Sequence, residues 1–409
     1  MAIEAINVAS IGMQVSAGAG LSSLKLHNEF LRLGHNSRFY VARMNEPHDH
    51  VYTIPVLDKF TNDWWKLGTI PLANDVNNIV ASGLSGMNTE FLEEVHQWAD
   101  IILLRWVTAA ISDWQIGLWS HREKPVVWGL SDMAPFTGGC HYSQGCNRYE
   151  IDCSECPMVE DRYKNNPSLV LQRRKKLWEK LTIISPSNWL ADCARKSMIF
   201  KGKDIRVIQT GVELDIYHPT PRLQAINELG IDDKKINILF GAHASNDERK
   251  GYNYLDDILE AMISLGVNPD DIQLLIVGKK NVRLFNNQIP YVYFGQIDDK
   301  HKMAKVYSAS HLSLLPYTED NLSNMVLESI SCGTPVSAFN IGGMPDVIKP
   351  GINGYLTPPF DTRSMANAVT RLIKEPLPQE KIRSWAESNI NLKTQAQKYI
   401  KLFNELLSY

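Results

Sequence analysis

The chain has 409 residues, enough for two or three domains at roughly 150 residues each and for a core that needs no disulfide or metal staple. Its 42 Lys and Arg against 45 Asp and Glu give a net charge of −3, with 44% hydrophobic and 21% charged residues. That balance excludes general disorder and the basic footprint of a dedicated nucleic-acid binder, so no nucleic acid is expected as a partner.

The opening MAIEAINVAS has no basic leader and carries Glu4 where an export signal would be apolar. The most apolar stretch, ADIILLRWVTAAI, is broken by Arg105 and is shorter than the roughly 20 residues of a membrane span. A soluble, cytoplasmic protein is expected. INVASI at 6–11 predicts a strand, the segment holding Ser16, Gly18 and Gly20 a loop, and Leu21 to Leu33 a helix ending at Gly34. SRFYVA predicts the next strand. Strand, Gly loop, helix and strand open a doubly wound α/β unit, where Gly18 and Gly20 would let backbone approach a phosphate or simply make a tight turn. Trp64–Trp65–Lys66 reads as an acceptor-side element or as core. IILLRW (101–106), PVVWGL (125–130), TIISPS (182–187) and IRVIQTGV (205–212) have the apolar continuity of buried parallel strands. Between them, LVLQRRKKLWEKL (169–181) sets four consecutive cations beside a helical Leu and Trp stripe. Two readings follow: peripheral contact with anionic lipid at the inner face of a membrane, or a solvated face over packed residues.

Residues 216–235 hold two prolines and no sustained period, which predicts an interdomain linker. A second alternating series then begins with INILFG (236–241), a helix over Tyr252–Leu265, QLLIVG (273–278) and YVYFG (291–295). A helix near Met303–Ser308, HLSLLP (311–316), a helix over Asn324–Cys332 and PVSAF (335–339) continue it. The expected architecture is two Rossmann-like α/β domains facing across a cleft, with ligands outside the carboxyl ends of the strands. Their expected limits are 1–215 and 236–390, followed by a helix in 391–409 that returns to the first domain.

Four of the six cysteines, Cys140, Cys146, Cys153 and Cys156, are spaced C-x5-C-x6-C-x2-C. The closing pair suits a structural zinc with His141 as a spare ligand; reduced thiols or a disulfide pair stay open.

The densest chemistry lies in PYTEDNLSNMVLESISCGTPVSAFNIGGMPDVI (316–348). Asp320 falls in the loop after a strand, and Glu328 within the helix that follows. Between them Asn321, Leu322 and Ser323 open that helix, whose unpaired N–H groups and dipole favour a phosphate. Two carboxylates flanking a phosphate are acceptors for hydroxyls on either side, the outline of a nucleotide sugar. Upstream, LFGAHASNDERKGYNYL places Arg249 and Lys250 at a helix start, where two cations can neutralise a diphosphate leaving group. No Asp-x-Asp pair suited to a catalytic divalent ion is present.

These segments resemble the E-x7-E, CGTPV and GGMPDVI features of family-4 retaining glycosyltransferases, with Asp320 in place of the commoner Glu. The resemblance implies a GT-B fold, Asp320 on the donor sugar's hydroxyls, Glu328 on the ribose and Lys250 on the diphosphate. Arg249 would substitute for an Arg that the family carries earlier in a G-R motif. FGQIDD (294–299) resembles the base-binding loop, which implies that Gln296 or the backbone of Ile297 meets uracil. WGLSDMAPFTGGCHYSQGCNRYEIDCSEC (128–156) resembles exopolysaccharide-type members, which show L-H-D where this chain has Leu130–Ser131–Asp132. Ser131 keeps a hydrogen bond but not a cation, leaving more of the polar work to Asp132. The implied reaction moves a hexosyl group from a UDP-sugar, UDP-glucose first, to a saccharide or lipid-linked glycan with retained configuration and no catalytic metal. The alternatives are an epimerase or hydrolase of nucleotide sugars on the same fold, or a catalytically weak nucleotide-sugar-binding protein.

Overall fold

The computed structural model describes residues 4–55, 66, 68–74, 76, 78–242, 248–278 and 289–408. The Trp64–Trp65 pair and residues 243–247 of the basic segment lie outside these.

The chain forms two compact units, one of residues 1–210 with 392–409 and one of residues 211–391. The first is built on β1 (Asn7–Gln14), β2 (Asn36–Arg43), β3 (Val51–Thr53), β4 (Ile101–Leu104), β5 (Val126–Gly129), β6 (Thr182–Ser185) and β7 (Ile205–Val207). All pairs are parallel, in the order β3-β2-β1-β4-β5-β6-β7. The second is built on β8 (Ile236–Ala242), β9 (Ile272–Gly278), β10 (Tyr291–Gly295), β11 (Leu312–Leu315), β12 (Val336–Phe339) and β13 (Gly354–Thr357), also parallel, in the order β10-β9-β8-β11-β12-β13. Each is a doubly wound sheet, and strand order reverses between β1 and β4 in one and between β8 and β11 in the other. Loops leaving the carboxyl ends at those reversals form a crevice where such folds take ligands.

The cores follow from the strands' two-residue period. On β8, Ile238 and Phe240 join a cluster on one face of the sheet and Leu239 a cluster on the other, so both faces are covered and IILL, VVWG and IQLLIVG read as continuous apolar runs. In the first unit one face is closed by the helix Leu392–Leu407, whose Tyr399 and Phe403 pack on Phe30 at ring distances of 6.2 and 5.8 Å.

Three expectations change. Residues 216–235 are not a linker: Tyr217, Ala225, Ile226 and Ile231 are buried in the second unit, and Arg222–Leu229 is a helix. Its buried face is small and short, so it shows no sustained period. Gly18 and Gly20 do not form a loop either, because the helix already starts at Ala17. At Gly20 a Cβ would stand 2.4 Å from the Gln14 carbonyl oxygen, so this glycine serves close packing of the helix on β1. Finally, the basic run is not a uniformly solvated or lipid-facing stripe. On the helix Asn166–Leu177, Arg173 and Arg174 turn inward to the buried Asp113, while Lys175 and Lys176 are exposed. Among the described residues no helix is long and apolar enough to cross a membrane.

Candidate functional site

In the second unit the loop after β11 carries Pro316 to Ser323, and the loop after β8 ends in a short turn at Glu248–Lys250. The Thr318 amide donates to the Arg249 carbonyl at 2.8 Å, clipping the two loops together. Gly251 makes this approach feasible. Its φ of 74° is left-handed, and a Cβ there would stand 1.9 Å from the Pro316 carbonyl oxygen. Clipped this way, Lys250 Nζ donates to Asp320 Oδ2 at 2.6 Å and lies 4.1 Å from the centre of the Tyr317 ring. The loop after β12 joins them, its Gly343 amide donating to the Asp320 carbonyl at 3.2 Å.

The helix Asn324–Ser331 starts beside this pair. Its N-cap, Ser323, makes no side-chain cap bond. Asn321 and Ser323 are buried and Leu322 packs on the core. One turn further, Glu328 is 9% exposed and accepts from the Tyr307 hydroxyl at 3.1 Å and from Tyr217. Burial, reinforced by the Glu328 charge, pushes both phenols far up, so they stay protonated donors that fix the carboxylate. The arrangement can hold an anion at the helix start and accept from hydroxyls through Glu328.

Gln296 is exposed in the segment after β10, and its amide donates to Asp298 at 2.8 Å. It makes no hydrogen bond to Asp320, Glu328 or Lys250; Ile297 packs on the core of the same unit.

In the first unit Ser131 and Asp132 follow β5 and line a pocket. Asp132 is buried with both oxygens engaged: Oδ1 accepts from the Ala134 amide at 2.9 Å, and Oδ2 lies 2.8 Å from His141 Nδ1. His141 Nε2 in turn lies 3.0 Å from the Thr108 hydroxyl. The chain thus brings an imidazole to the Ser131–Asp132 position from another point in the sequence. Gly18 and Gly20 belong to this unit, at the start of the helix after β1.

The four cysteines line one cavity with Tyr149 and Met158. Yet no group of three or more His, Cys, Asp or Glu among the described residues is placed to hold a metal ion, and all six cysteines are free. Burial pushes the thiols of Cys140, Cys153 and Cys156 up, Cys153 to about 12, so they are protonated and packed as small apolar groups. The geometry does not support the zinc expectation.

Comparison with known proteins decides the class. Residues 235–375 match the family described as "Glycosyl transferases group 1". The second unit is a group 1 glycosyltransferase domain. A phosphatidyl-myo-inositol mannosyltransferase of Mycobacterium leprae is 28% identical over 198 residues, 47% of this chain and 50% of that protein. The chain thus matches about half the length of that glycosyltransferase relative. Among solved structures, sucrose-phosphate synthase from Thermosynechococcus elongatus superposes with a TM-score of 0.71 at 18% identity, covering 98% of this chain and 99% of that one. Anabaena Alr3699/HepE in complex with UDP and glucose gives 0.65 at 16% identity, covering 98% and 99%. The chain has the GT-B fold of these glycosyltransferase structures.

Sequence reasoning named Asp320, Glu328, Lys250 and Asp132 as candidates but did not name Tyr217, Tyr307 and His141 as their partners. Tyr217 stood inside the supposed linker, and an aromatic in a stretch otherwise poor in large apolar residues was the available signal.

Proposed function

We propose that this protein is a retaining, metal-independent hexosyltransferase, moving a glucosyl or closely related group from a UDP-sugar to a saccharide or lipid-linked glycan. The observation that carries the reading is the Lys250–Asp320 pair beside an uncapped helix start, at the strand-order reversal of a group 1 glycosyltransferase domain. Lys250, Arg249 and the amides after Ser323 neutralise the diphosphate as it departs. Asp320 and Glu328 accept from the sugar and ribose hydroxyls, and Gln296 or the backbone of Ile297 meets the uracil. UDP and glucose in the Anabaena structure support the donor class. In the reaction the bond from the anomeric carbon to the β-phosphate oxygen breaks, and the acceptor oxygen bonds to that carbon on the same face. The departing phosphate oxygen takes the acceptor's proton, leaving UDP. The exopolysaccharide-like segment around Ser131 and Asp132 supports a role in envelope glycan assembly, in the cytoplasm at the inner face of the membrane.

Nucleotide release from a panel of UDP- and GDP-sugars, with and without glycan acceptors, tests this. Acceptor-dependent UDP release is expected, and Lys250→Ala and Glu328→Ala should each lower kcat/KM by roughly 10²–10³ with the fold intact. Release without acceptor would point to a hydrolase. No release from any donor would overturn the reading.

A further inference from the structure

Arg105 is the first residue after β4, at the strand-order reversal of the first sheet, and it is 7% exposed. Its Nε donates to the Ser23 hydroxyl at 3.2 Å and its Nη1 to the Tyr399 hydroxyl at 3.0 Å. Both partners are neutral. No carboxylate among the described residues lies within ion-pair distance of it, and the other donors of its fork take no partner among them. Gly129 on β5 leaves room for it, since a Cβ there would stand 2.2 Å from Nη1. The side chain lines a pocket with Trp106, Thr108, Trp128, Ser131 and Asp132.

The carboxylates on this wall are engaged elsewhere: Asp113 pairs with the guanidiniums of Arg173 and Arg174, and Asp132 Oδ2 lies against His141. Arg105 is the guanidinium here with no carboxylate partner among the described residues. A desolvated guanidinium with only neutral partners is unfavourable until an anion completes it, and its planar fork suits a carboxylate or a phosphate. Two indoles and two hydroxyls beside it suit a sugar ring.

We propose that Arg105 is the anion-binding group of an acceptor subsite, and that the acceptor is an acidic saccharide bearing a carboxylate or a phosphate ester. The inference rests on the transferase reading above and names the acceptor class within it.

Trp106 and Trp128 make the pocket readable by intrinsic fluorescence. The full chain, with UDP present, is titrated with glucuronate, glucose 1-phosphate and glucose. At least one acidic sugar is expected to bind tenfold or more tightly than glucose, and the better of the two identifies the anion. Arg105→Gln should bring the acidic sugars within twofold of glucose, whereas Tyr399→Phe, which keeps the cation, should retain the preference. If Arg105→Gln does not fold, salt decides on the unaltered chain: raising it should weaken the acidic sugar severalfold and leave glucose unmoved. Equal affinities, no response to either acid, a preference that survives Arg105→Gln or one indifferent to salt would each overturn the proposal. UDP binding in the same samples separates the two readings. Absent UDP binding refutes the donor site, and UDP bound with no acid preference refutes this inference alone.

Discussion

Glu328 owes its usefulness to two phenols. A buried carboxylate must be paired or hydrogen-bonded, and here Tyr307 and Tyr217 supply the bonds without supplying a counter-charge. The two hydroxyls fix the carboxylate's orientation. Tyr307→Phe removes one donor to a charged acceptor, so UDP affinity measured by calorimetry should fall roughly tenfold. With donor saturating, kcat should change less if the proposed binding role of Glu328 holds. Lys250 is held differently, between the Asp320 carboxylate and the Tyr317 ring, so its ammonium is placed before any ligand arrives. At Gly251 both the left-handed φ and the contact with Pro316 forbid a side chain. Gly251→Ala should lower stability by more than about 1 kcal/mol, seen as a reduced Tm, and should loosen the loop that carries Lys250.

Most elements are legible in the sequence because strands covered on both faces are apolar throughout and the helices between them keep a 3.6-residue period. IILL, VVWG and QLLIVG announce themselves this way. β3, three residues long, and the helix Arg222–Leu229 do not, because each buries too few large side chains to generate a pattern. The candidate pair Asp320 and Glu328 is legible because a loop and a helix start are contiguous in sequence. Tyr307 and Tyr217 are not, since what recruits them is packing between distant segments. The basic run 173–176 shows the same limit: charge is visible in a sequence, but its direction is not. Asp113, at the first position of the helix Asp113–Ser120, receives Arg173 and Arg174 from the helix Asn166–Leu177 and thereby ties two helices together. Asp113→Asn would leave two guanidiniums facing one another without their anion. A loss of about 3–5 kcal/mol is expected, read as a lower urea midpoint.

For the whole molecule, two histidines set a response to acid, one in each unit. Burial holds His27 and His311 down to about 4 from the ordinary 6.5. In the folded chain they stay neutral where the unfolded chain has already taken up protons. Their effect on stability is therefore nil above pH 6.5, grows as pH falls from 6.5 towards 4, and levels off below. Each asymmetry amounts to as much as about 3 kcal/mol. Urea midpoints should drop between pH 7 and pH 4.5, and His27→Gln together with His311→Gln should flatten that part of the slope.

Because the helix Leu392–Leu407 completes the first unit while residues 211–391 form the second, the second unit is an insertion within the first. During synthesis the order of maturation is then inverted: the later, contiguous unit can fold as soon as it emerges, whereas the earlier one waits for its closing helix. Until then the apolar surface around Ile6, Leu26 and Phe30, which that helix covers, stays open to water. A chain halted shortly before residue 392 would carry a finished second unit beside an adhesive half-built first one, a ready substrate for chaperones and proteases.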